Sequence, residues 1–175
     1  MAARIVKTEQ LLRPACRLVG RRYTEADRKN GSFAHIWGEW FQKGLFAPLE
    51  QTALPQGADA FFDGSYIGAM RMAEGGFEYW IGMFLPLDAP VPEGYGHAEL
   101  PEEPCALFWI YGNEGSGEIY GMSAEALCQA ELDKRGWMRL DTGWHFERYN
   151  CPRFTTPDAQ GNVILDYGVP LAIEK

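Results

Sequence analysis

Trp144-His145-Phe146-Glu147-Arg148-Tyr149 reads as a β-strand, and the rest of the fold can be built outward from it. A strand sends alternate side chains to opposite faces, so Trp144 and Phe146 share one face while His145, Glu147 and Tyr149 share the other. A carboxylate set among aromatic rings is poorly hydrated, and burying it without a positive partner costs free energy. A hollow built this way favours a lipophilic cation, drawn by the charge and by the negative faces of the rings. The alternative is an exposed Glu on an edge strand, and spacing alone does not choose between the two.

Before this strand, residues 118–135 read as a helix with Ile119, Met122, Ala126, Leu127 and Ala130 on one side. Lys134 and Arg135 fall in its last turn and Gly136 just beyond. After it, residues 163–173 form a final strand. Upstream, 95–100 and 105–111 are strand runs broken by Pro101 and Pro104, which implies one bulged strand or two short ones. The first half has the same order. Residues 16–24 form a strand, and Ser32 is a plausible N-cap. Phe33, Ile36, Trp37, Trp40 and Phe41 make a helical stripe best read as core packing, which Gly44 can end. Strands at 64–72 and 77–85 flank the turn Ala73-Glu74-Gly75-Gly76. Residues 86–94, with three prolines, form a stiff linker.

Each half is therefore strand, helix, strand, strand. This predicts an α+β fold, an antiparallel sheet with helices on one face and a ligand cleft on the other. The face without helices is expected to carry Glu147 and Tyr149. Residues 1–15, interrupted by Pro14, are expected to be a loosely tied N-terminal arm. Residues 16–175 form a single domain with halves at about 16–86 and 94–175.

Composition narrows the function. The chain has 24 acidic and 16 basic residues, a formal charge of −8, which argues against nucleic acid as a partner because phosphate neutralisation needs clustered Lys and Arg. Six Trp, eight Tyr and ten Phe exceed what a small core needs, so part of the excess is expected to line a cavity or interface. Cys16, Cys105, Cys128 and Cys151 show no metal-ligand spacing, and His35, His97 and His145 form no HExxH. They imply reduced, buried thiols, no metal site and no cofactor. The absence of a long apolar run implies neither membrane span nor leader, hence a cytoplasmic protein.

Four motifs in order resemble the GyrI-like small-molecule-binding domain, which also forms the effector-binding part of AraC-type and MerR-type multidrug-responsive regulators. They are Tyr79-Trp80-Ile81-Gly82-Met83, His97-Ala98-Glu99-Leu100-Pro101 followed by Cys105-Ala106-Leu107-Phe108, Phe146-Glu147-Arg148-Tyr149, and Asp166-Tyr167-Gly168-Val169-Pro170-Leu171. The resemblance implies two strand-helix-strand-strand modules related by a pseudo-twofold, with a ligand cleft between them. It implies that Glu147 is the central acid recognising hydrophobic cations, that Tyr149 and Trp80 are walls, and that Asp166 is a second acid. At Gly168 the chain departs from the family's frequent Tyr, which would enlarge that end of the site.

Alternation lets only one of Tyr79 and Trp80 face inward. Gly82 shares Trp80's face and would leave room for a ligand, which favours Trp80. Phe108 and Trp109 pose the same question, and the sequence does not settle it. His145 is a further polar group on the Glu147 face. Three readings follow: a stand-alone binder of a lipophilic cation; a hydrolase of cyclopropane-type electrophiles with Glu147 as general base; and an interaction module of the DNA gyrase-inhibitor kind. The first places the chain as a sequestering protein or as a sensor acting with a separate regulator, since 15 residues are too few for a preceding DNA-binding helix-turn-helix.

Overall fold

The computed structural model describes residues 2–52, 54–149 and 152–173. Cys151 lies outside the described residues; Cys16, Cys105 and Cys128 are buried free thiols. The chain divides into two compact units, an N-terminal unit Arg13–Glu102 and a C-terminal unit combining Met1–Leu12 with Glu103–Lys175.

In the N-terminal unit, β2 (Cys16–Thr24) is followed by α1 (Ala34–Gln42), the short α2 (Ala47–Glu50), β3 (Tyr66–Ala73), β4 (Gly76–Leu85) and β5 (Gly96–Leu100). The strands lie in the order β3-β4-β2-β5. All three pairings are antiparallel. Ser32, expected as the N-cap, stands one residue before the observed cap, Phe33, and accepts the Ala34 N–H at 3.0 Å; Gly44 takes φ 64° just past α1. Phe33, Ile36 and Trp40 of the predicted stripe are buried, together with Phe46 and Leu49, against Val19, Tyr79, Ile81, Met83 and Leu85. Trp37 of the stripe is half-buried and Phe41 is 60% exposed.

The C-terminal unit runs β1 (Arg4–Arg13), β6 (Glu103–Asn113), α3 (Gly121–Arg135), β7 (His145–Tyr149) and β8 (Asn162–Pro170), with strands ordered β1-β6-β8-β7. Gly136 closes α3 in the left-handed region at φ 68°. Among the described residues no helix is long and apolar enough to cross a membrane.

Three expectations change. The N-terminal arm is a strand, β1, beside β6; its mixture of exposed and half-buried residues, the Lys7–Glu9 ion pair among them, gives it no clean apolar alternation, as befits a charged edge. The run at 96–100, read as part of the second half, pairs with β2 in the N-terminal unit, so Pro101 falls between two strands of different units and Pro104 lies at the start of β6. The inner side of α3 is Ala124, Cys128 and Leu132, while Met122 is 85% exposed. Two of these three, Ala124 and Cys128, are small and mark that face weakly, because Ala serves surface and core alike.

Candidate functional site

Glu147 sits mid-strand on β7, directly opposite Tyr167 of β8, which in turn stands opposite Phe108 of β6. Directly opposed residues of an antiparallel pair share a face. Phe108 and Tyr167 belong to the cluster packed under α3 with Ala124, Cys128 and Leu132, and Tyr149 joins its edge. Glu147 therefore faces the helix side of its unit, and the expectation of the helix-free face is corrected. Alternation says which side chains go together; it does not say which side a helix covers.

Glu147 is 7% exposed and accepts a hydrogen bond from the Tyr149 hydroxyl, 2.7 Å to Oε2. A phenol donating to a carboxylate stabilises its charged form. Tyr149 is held edge-on against Phe154, with centroids 4.9 Å apart. Tyr120, just before α3, has its phenol pKa pushed far up by burial and then by the charges of Glu114 and Glu147. Tyr167, almost fully buried, is shifted the same way by burial, Glu125 and Glu147. Three phenols thus stand within the field of one buried acid.

Behind Tyr167 lies a polar set that sequence reading missed apart from His145. The Tyr167 hydroxyl donates to Glu125 of α3, and Arg139 Nη2 donates to the other carboxylate oxygen at 2.6 Å. His145 Nδ1 is 3.7 Å from Glu125. Burial raises the Glu125 pKa, but the bonds from Tyr167 and Arg139 outweigh it and leave it below the usual value. Burial depresses that of His145, although Glu125 opposes the shift, so the imidazole is held toward its neutral form. The available signal was Glu125 standing beside Ala124 on the small-residue face of α3.

Neither a protein-family model nor a curated protein matches the chain. Among solved structures, SAV2435 bound to tetraphenylphosphonium aligns with a TM-score of 0.69 at 15% identity, over 95% of this chain and 94% of that one. The EcmrR C-terminal domain aligns with 0.61 at 8% identity, over 96% and 98%. A hydrolase from Listeria innocua aligns with 0.52 at 12%, over 95% and 92%. The fold is the GyrI-like one.

The other motif residues of the GyrI-like pattern are distributed between faces. Asp166 points away from Glu147: it is fully buried, opposite Trp109 and Arg148, and bonded by Arg148 (Nη2 2.9 Å) and Arg153 (Nη2 2.8 Å). Two guanidiniums on one buried carboxylate form a structural ion triad. Trp109 lies beside it, with Arg153 4.0 Å and Lys7 4.4 Å from its ring centroid. Phe108, wholly buried on the Glu147 face, is core.

In the N-terminal unit Tyr79 takes the helix side, stacked on Phe33 at 4.2 Å and accepting the Trp37 indole N–H at 2.9 Å. Trp80 takes the opposite side, where its indole donates to Glu78 at 3.3 Å and its ring lies 3.7 Å from a Cβ built at Gly96. Gly82 does not make ligand space. A Cβ there would fall 2.0 Å from the Val19 carbonyl oxygen, so its smallness permits β2 and β4 to approach. Gly168 likewise opens nothing near Glu147: it lies opposite Phe146, whose ring would be 2.2 Å from an added Cβ. Among the described residues no group of three or more His, Cys, Asp or Glu is placed to hold a metal.

Proposed function

We propose that this protein binds a lipophilic organic cation, with Glu147 as the charge partner, Tyr149 and Tyr120 supplying ring and hydroxyl surface around it, and the buried Tyr167 backing it. The observation carrying this reading is a carboxylate 7% exposed, bonded by a phenol and lying in a tyrosine-rich face. In so dry a setting the attraction between carboxylate and cation is strengthened, and a soft, weakly hydrated cation loses little hydration on entering. The shared fold with SAV2435, solved with tetraphenylphosphonium, supports the choice of ligand class. Asp166, Trp109, Trp80 and Phe108 serve the framework in this reading. The protein acts in the cell interior as a binder or effector sensor, with no cofactor and no nucleic acid at this site.

Calorimetric titration with tetraphenylphosphonium tests it. Wild type is expected to bind, and Glu147→Gln, which keeps the side-chain volume, to lose about tenfold or more in affinity for want of the charge. Equal affinity of the two proteins would overturn the reading.

A second reading is favoured by the likeness to the Listeria innocua hydrolase. The Glu147 carboxylate would take a proton from water as the oxygen attacks a cyclopropane carbon. The strained C–C bond breaks, its electron pair passes to the carbon bearing the electron-withdrawing group, and Glu147 returns the proton there while Tyr149 holds the carboxylate in place. Turnover of a cyclopropane-bearing electrophile that disappears in Glu147→Gln would select it; binding without turnover would select the first. The gyrase-inhibitor reading rests on the acidic charge of the chain alone.

A further inference from the structure

The α3 face of the C-terminal unit holds two carboxylates close to one phenol. Burial and then the charges of Glu125 and Glu147 all push the Tyr167 hydroxyl upward, so both acids act on the same point. Their surroundings differ. Glu147 receives the neutral Tyr149 hydroxyl, whereas Glu125 receives a guanidinium, Arg139, at 2.6 Å. Arg139 belongs to the segment following α3, pinned by a bridge to Leu171 just past β8, and its side chain is 23% exposed. It thereby subtracts one negative charge from this face. His145, 3.7 Å from Glu125 and depressed by burial, adds no charge near neutral pH, and burial keeps the Cys128 thiol protonated.

We propose that Arg139 is a specificity-determining residue: by cancelling the charge of Glu125 it restricts the site to singly charged cations and disfavours doubly charged ones. This rests on the reading of Glu147 as a cation partner. With Arg139 in place, a second positive centre reaching along Tyr167 toward Glu125 meets a guanidinium. Without it, that centre meets a carboxylate that still accepts the Tyr167 hydroxyl. Like charges at short range in a partly dry site cost more than they would in water.

The test compares tetraphenylphosphonium with an alkane-bridged bis(triphenylphosphonium) by calorimetry on wild type, Arg139→Gln, Glu125→Gln and Glu147→Gln. Arg139→Gln is expected to raise affinity for the dication relative to the monocation by about tenfold, one added unit charge at contact range. The double variant Arg139→Gln/Glu125→Gln should return the ratio to that of wild type. If Arg139→Gln does not fold, Glu125→Gln alone carries the test. It exposes an uncancelled guanidinium and should weaken the dication more than the monocation, leaving a neutral tetraphenyl isostere unaffected. An unchanged dication-to-monocation ratio in the folded variants, with monocation binding still lost in Glu147→Gln, overturns the inference alone. Monocation binding unaffected by Glu147→Gln overturns the reading beneath it.

Discussion

The two units share a frame and differ in what they do with it. Each places an acid-Tyr pair on its own β4 or β8, Glu78-Tyr79 in the first and Asp166-Tyr167 in the second, and opposes the acid with an arginine, Arg71 or Arg148. Both acids are nearly or wholly buried on the side away from the helices, and both tyrosines point to the helix side. The divergence lies opposite the tyrosine. Met70 stands across from Tyr79, and Glu147 across from Tyr167. The Tyr79 hydroxyl meets an indole N–H and its ring a stacked Phe33, an aromatic filling that leaves a core. The Tyr167 hydroxyl meets Glu125, within a charged set that a core would not need. A repeated scaffold can keep one half for packing and free the other to carry polar chemistry.

The largest effect should come from the shared element. Asp166→Ala removes the buried carboxylate that both Arg148 and Arg153 bond and is expected to cost about 3–5 kcal/mol. Glu78→Ala should cost only about 1–2 kcal/mol, because Arg71 and Arg22 are 38% and 61% exposed and can turn to water. Urea unfolding of both variants checks the contrast; equal losses would break the claim that the two ion clusters differ in solvation.

Glu147→Met copies the N-terminal unit's choice into the C-terminal one. Cation binding should vanish, while stability should hold or rise by about 1 kcal/mol, since an apolar side chain replaces a desolvated charge. A marked loss of stability, read as a lower thermal midpoint, would mean that Glu147 is structural and the contrast between halves false.

The smallest effect concerns pH. His145 has a folded pKa below its usual 6.5, so below that pH the unfolded chain takes up a proton that the folded one resists, and stability falls as the solution is acidified. Glu125, with a folded pKa below the usual 4.5, adds a further loss as pH drops through that lower range. His145→Gln should flatten the first slope and leave the second. A profile unchanged between pH 6.5 and 5 would show that the imidazole titrates as it does in water.

Much of this was legible in the chain. The strand at Cys16–Thr24, the hairpin around Glu74-Gly75 and the helix ends at Gly44 and Gly136 follow from local chemistry, because side-chain alternation and left-handed glycine act over a few residues. So did the company of Glu147 and Tyr149, two apart on one strand. Other features depend on partners far away in sequence: which face α3 covers, that Arg4–Arg13 pairs with β6, that Asp166 is neutralised by Arg153, and that Glu125 and Arg139 gather behind Tyr167. Period and propensity determine which residues travel together. Only the packing of distant segments decides what they meet, since burial and ion pairing take their free energy from contacts that no local window contains.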